Sequence, residues 1–111
     1  VLEWLGYLNS ELHDAYAVFF GAPLSAEAKE KAYAEIDRLL THIDKTINES
    51  NNDYLVDDNF GPADAYLFVL TNWSNHIEHD LTPYIHIVAL RNKVAGRQSV
   101  QIAMRDEGLI P

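Results

Sequence analysis

Two histidines and a carboxylate stand together in His76-x-x-His79-Asp80. On a helix, positions three apart share a face, so two imidazoles and a carboxylate there can meet one metal ion. His86 offers a fourth ligand. The simpler account is that both histidines close a helix, where imidazolium complements the dipole. No pattern marks the outer partners that orient metal-bound imidazoles, so no metal site is expected. A second constellation is His13, with Glu11 and Asp14 beside it. A carboxylate next to an imidazole can orient the ring and support it as a general base, or leave it as a polar contact to a ligand. Taken alone, a surface or interface histidine is the plainer reading. The chain has no cysteine, which removes thiolate catalysis, disulfides and cysteine-based metal sites. It has no Gly-rich phosphate loop and no G-x-S-x-G elbow. Ser10, Ser25, Ser50, Ser74 and Ser99 have no recognisable base partner. Trp73 reads first as core.

The elements that must position these residues are helical. Leu5, Leu8, Leu12, Tyr16 and Phe19 recur at helical spacing, and Gly21-Ala22-Pro23 ends the stripe. Ser25 predicts an N-cap, with Glu27 in the first turn and in i, i+4 register with Lys31. Ile36, Leu39, Leu40, Ile43 and Ile47 then make one apolar face running toward Ser50. Residues 51–59 form a polar turn around Tyr54, Leu55 and Val56, either a short strand or an anchored loop. Gly61-Pro62-Ala63-Asp64 reads as a helix start. Pro62 fits the first position, and the Asp64 carboxylate can accept the Gly61 N–H. The residues that follow are apolar nearly all round, as in a buried central helix. Pro83 predicts another start, with Ile85, Val88, Leu90 and Val94 inside and Gly96 at the end. Val100, Ile102, Ala103 and Met104 predict a last short helix. The expectation is a single all-α domain over residues 1–111, a bundle of about five helices with no βαβ unit.

Charge narrows the partners. Eight Lys and Arg stand against 17 Asp and Glu, a net charge of -9. So acidic a surface repels phosphate backbones and anionic lipid, so neither nucleic acid nor membrane is expected as a partner. Residues 46–90 carry seven acids and no Lys or Arg, which reads as a solvated face. No apolar run nears the roughly 20 residues that span a bilayer. The chain opens on Val1 rather than Met, as expected of a processed product or a piece of a longer chain.

Several stretches together resemble the glutathione transferases. F-G-P-A-D-A-Y-L-F at 60–68 is similar to the start of that family's buried helix, and Y-L-V-D-D at 54–58 to the stretch before it. R-Q-S-V-Q-I-A-M at 97–104 resembles the family's Arg-Pro-x-Val-x-x-Ala segment, and E-G-L-I at 107–110 a common bacterial ending. L-E-W-L-G-Y-L-N-S-E-L-H at 2–13 is similar to the first helix of the family's C-terminal domain, in the bacterial beta class above all. The resemblance implies an all-α C-terminal domain that supplies the hydrophobic co-substrate pocket and part of a dimer interface. It implies a parent that conjugates glutathione, a co-substrate and not a cofactor, to hydrophobic electrophiles as a cytoplasmic homodimer. The thiol-activating Cys, Ser or Tyr would lie in a thioredoxin-like domain, so no catalytic residue is expected among these 111. By position, Glu11 and His13 match residues that approach glutathione. Trp73 and His76 match pocket-lining residues, and Tyr16 and Phe20 are expected to face the same pocket. Gly61 and Asp64 match the structural helix start. Three departures stand out: Asp14 where the beta class often has Lys, Gly61 for a Ser or Thr cap, and Gln98 for Pro. A non-catalytic interaction module on the same fold is the alternative, mildly favoured by Asp14. A helical metal-binding protein is a third.

Overall fold

The computed structural model describes residues 3–97. Four helices make up the described fold. The first runs continuously over 4–20 but changes pitch three times: α-helical at Trp4–Tyr7, a π turn at Leu8–His13, α-helical again at Asp14–Ala17, and a closing 3-10 turn at Val18–Phe20. Its inward side chains are Trp4, Leu8, Leu12 and Tyr16, each four residues apart. On a regular α-helix that spacing would drift by about 40° per step. The wider π turn absorbs the drift and keeps all four in the core. Leu5, expected on this stripe, is instead 44% exposed.

The long helix, Ala26–Glu49, starts where Ser25 accepts the Ala28 N–H at 3.1 Å. Glu27 and Lys31 lie 3.5 Å apart on its wet side. Ile36, Leu39, Leu40 and Ile43 are buried, and Ile47 packs against them from the edge. The central helix, Pro62–His76, begins at Gly61 with Pro62 in its first turn. It runs parallel to the first helix. The Tyr66 hydroxyl donates to Asn9 Oδ1 at 3.1 Å, and further along Tyr16 meets Ser74.

Asp64 is 1% exposed. Its carboxylate accepts the Gly61 N–H at 2.8 Å through one oxygen and the Leu55 N–H at 2.8 Å through the other. The first bond closes the helix start on itself. The second pins the preceding loop, which is therefore anchored rather than a strand, with Leu55 buried. The loop acids serve their own backbone: Asp58 accepts from the Asp53 N–H and Asp57 from the Asn59 N–H.

The fourth helix is Ile85–Ala95. Its start falls two residues beyond Pro83, because its cap comes from elsewhere. Asp44 of the long helix accepts the His86 and Ile87 N–H groups, both at 2.9 Å. A carboxylate at a helix N-terminus satisfies orphan donors and complements the dipole. The register follows: Ile87, Leu90 and Val94 are buried, while Ile85, expected inside, is 65% exposed. Arg91 ties this helix to the central one. It donates to the Phe68 carbonyl at 3.0 Å, to the Thr71 hydroxyl and to Asn72 Oδ1 at 2.7 Å, and its guanidinium lies over the Phe68 ring. The fifth helix, expected around 100–104, lies outside the described residues.

Candidate functional site

The C-terminal ends of the two parallel helices meet around Trp73. His13 and Tyr16 are one turn apart on the first helix, and Phe20 is a further turn along. The three rings surround the indole: His13 at 5.4 Å, Phe20 edge-on at 5.5 Å and Tyr16 edge-on at 6.1 Å between centroids. These are the tilted and T-shaped arrangements that ring quadrupoles favour. A cavity of about 400 Å³ opens here, lined by Ala17, Phe20, Trp73 and His76. Phe20 is 54% exposed, although large and apolar. A concave apolar wall with an imidazole at its edge is the usual make-up of a small-molecule site. A larger groove of about 560 Å³, lined in part by Trp4, Ile47 and Tyr54, lies at the opposite end of the central helix. It brings together no histidine.

The named residues do not play equal parts. Trp73, Phe20 and His76 form the open surface. His13 stands beside the indole, with its Nδ1 3.5 Å from Asp14. Tyr16 lies behind the wall: it is 0% exposed, and burial pushes its hydroxyl up to about 12. Glu11 stands apart from this group, exposed, its charge felt by Tyr7 and Arg38 on the other side of the first helix.

The His76-x-x-His79-Asp80 stretch is taken apart by the helix end. The central helix stops at His76, and Glu78 adopts a left-handed conformation with φ 57. The His79 N–H returns to the Ser74 carbonyl at 2.8 Å, the long bond of a Schellman turn. His79 is therefore not one helical turn from His76. Asp80 faces Thr82, whose N–H and hydroxyl both donate to it and hold its carboxyl below the usual range. Among the described residues, no group of three His, Asp or Glu side chains is placed to hold a metal ion.

Sequence reasoning missed what His79 does instead. Its Nδ1 lies 3.2 Å from Ser74 Oγ and its Nε2 2.7 Å from Asp37 Oδ1. Ser74 does have an imidazole partner, in the order nucleophile, base and orienting carboxylate. The hydroxyl is nonetheless 0% exposed and held at 2.6 Å by Tyr16, so no acyl group can reach it. No local sequence signal could have found this, since Asp37 lies 42 residues away.

The described residues thus form an all-α unit with a half-open aromatic pocket between two parallel helices. Its family follows from comparison. The sequence profile described as "Glutathione S-transferase, C-terminal domain" matches residues 7–98, and the chain belongs to that family. It is 30% identical to glutathione S-transferase GstA of Escherichia coli O157:H7 over 108 residues, covering 97% of this chain and 53% of that protein. A ternary complex of BphK, a bacterial glutathione transferase, superposes with a TM-score of 0.87 at 34% identity, over 96% of this chain and 52% of that one. The beta-class enzyme of Sphingomonas chungbukensis does so with 0.85 at 33%, over 96% and 52%. The chain thus spans about half the length of the relatives it matches. Among the described residues no helix is long and apolar enough to cross a membrane.

Proposed function

We propose that this domain supplies the hydrophobic co-substrate wall, and part of the homodimer interface, of a cytoplasmic glutathione transferase that conjugates the tripeptide thiol to apolar electrophiles. The supporting observation is the cavity lined by Phe20, Trp73 and His76, with His13 packed beside the Trp73 ring. The wall holds the acceptor beside a thiol presented from the opposite side, which contributes proximity and orientation. Its His76 imidazole offers a hydrogen bond to polar substituents on the acceptor. Glu11 and His13 are the residues assigned to glutathione. No thiol-activating residue is assigned here, so the 111-residue chain alone is expected to leave chlorodinitrobenzene and glutathione at their uncatalysed rate.

In the full-length protein, Trp73→Ala should raise KM for chlorodinitrobenzene by about tenfold while KM for glutathione stays within about twofold. An unchanged acceptor KM would remove the pocket reading. One observation favours a binding module without turnover: the exposed Asp14 carboxylate sits beside His13, where it disfavours an approaching thiolate or glutathione carboxylate. Failure of the full-length protein to turn over any electrophile, with glutathione-independent protein binding retained, would support that second reading.

A further inference from the structure

Four side chains from three separate segments converge on His79. Tyr33 and Asp37 come from the long helix, Ser74 from the central one, and Tyr84 from the turn before the fourth. Tyr16 of the first helix joins through Ser74. The imidazole is 7% exposed. It lies stacked between the rings of Tyr33 and Tyr84, at 6.1 and 6.3 Å, with planes within 12° and 18°. The Tyr84 hydroxyl also donates to Asp37, and the Tyr33 hydroxyl to the Ile77 carbonyl. Every face of the ring is occupied, so it has one orientation.

That orientation has a chemical consequence. A carboxylate only accepts hydrogen bonds, so Nε2, 2.7 Å from Asp37, carries the proton of the neutral ring. Nδ1 is then a bare acceptor, and the Ser74 hydroxyl donates a hydrogen bond to it. Ser74 Oγ in turn accepts from Tyr16. The chain of donors runs one way, from a fully buried phenol to a half-exposed carboxylate. Ser74 is the chain neighbour of Trp73, and the Tyr16 ring meets the indole edge-on. The bond between Tyr16 and Ser74 fixes how the two wall-bearing helices sit against each other at the level of the pocket.

We propose that His79 is the positioning residue of the aromatic wall: oriented by Asp37, it locks Ser74 to Tyr16 and so sets the Trp73 ring against the first helix. The idea rests on the pocket reading above only for its binding consequence. The test uses the full chain with Trp4→Phe, which leaves Trp73 as its sole indole. His79→Phe keeps the stacked slot between the two tyrosines but has no ring nitrogen, whereas His79→Asn puts an amide oxygen near the place of Nδ1. Expected is a folded, helical His79→Phe chain with its near-ultraviolet Trp73 band reduced by half or more. Quenching of Trp73 by chlorodinitrobenzene should weaken by about three- to tenfold, and His79→Asn should recover much of both signals. Asp37→Ala, at a 52% exposed position, should reduce the band in the same direction. It serves as the readout if His79→Phe does not fold. An unchanged band in a folded His79→Phe chain, a band unmoved by Asp37→Ala, or His79→Asn no better than His79→Phe would each overturn the proposal. If chlorodinitrobenzene fails to quench the parent chain at all, the pocket reading falls, while the band still decides the role of His79.

Discussion

Replacing Asp64 with Ala is the sharpest test of how the fold is held. Two backbone donors lose their acceptor: Leu55, which is buried, and Gly61, which is half-buried. A buried donor left unpaired costs about 1–3 kcal/mol, and bonds to a charged acceptor are at the stronger end. Leu55 should bear about 2–3 kcal/mol, since nothing else is in reach. Gly61 should bear about 1 kcal/mol, since water can approach it. The sum of about 3–4 kcal/mol is a large fraction of the 5–15 kcal/mol that holds a typical domain together. With a urea slope of about 2 kcal/mol per molar, the middle of the range for small proteins, the midpoint followed by circular dichroism should fall by about 1.5–2 M. Asp64→Asn keeps one acceptor oxygen and turns an NH₂ toward the other donor, so it should cost about half as much or more. Amide exchange gives an independent check, because the Leu55 N–H should be protected in the parent chain and fast in the variant. An unchanged midpoint, or a Leu55 amide that exchanges as fast as its exposed neighbours in the parent, would show that the carboxylate does not bridge loop and helix.

Glu78→Gly relieves a left-handed backbone at a non-glycine residue. It should stabilise by about 1 kcal/mol, a rise of about 4–8 °C in Tm by calorimetry; a fall would count against the turn. Arg91→Lys keeps the charge but cannot reach Phe68, Thr71 and Asn72 together, and should cost about 2 kcal/mol in urea; parity with the parent would refute the tie. For Tyr16 the pH sign follows from a folded value raised from 10.0 to about 12 by burial. The folded chain holds that proton more tightly than the unfolded one, so the stabilisation is complete below about pH 10 and is lost as pH rises through about 12. It amounts to about 2–3 kcal/mol. Urea midpoints should therefore drop across that window, with a smaller drop in Tyr16→Phe, and a flat profile in the parent would contradict the burial of the phenol.

What was legible in the sequence was what is local. Ser25 and Pro62 mark helix starts because the groups that satisfy those ends lie within three residues. The inner face of the long helix was legible because one period holds across it. The start of the fourth helix was not, because its cap is Asp44, reached only by folding. Ile85 and Ile87 differ by two positions, and nothing nearby decides which turns inward. The spacing of His13 and Trp73 on their helices was enough to bring them together once those helices packed side by side. Tyr16 belongs to the same turn but ends up behind the wall, because its hydroxyl finds a buried partner. His79 was read on a helix that had already ended, and its partners come from three separate segments.

The π turn at Leu8–His13 separates two jobs within one continuous rod. Trp4 and Leu8 come before the turn is complete, and His13, Tyr16 and Phe20 at its close or after it. Removing a single residue between Leu8 and Leu12 would leave spacings of four, three and four along Trp4, Leu8, Leu12 and Tyr16, which a regular α-helix holds on one face, so both ends would stay seated. The turn is thus one residue of slack in the rod. A residue added to or taken from the regular helix after it has no such slack to draw on, and would rotate Phe20 off the indole by about 100° while the anchoring end stayed in place. The same change of length is harmless in one half of the rod and re-aims the aromatic face in the other.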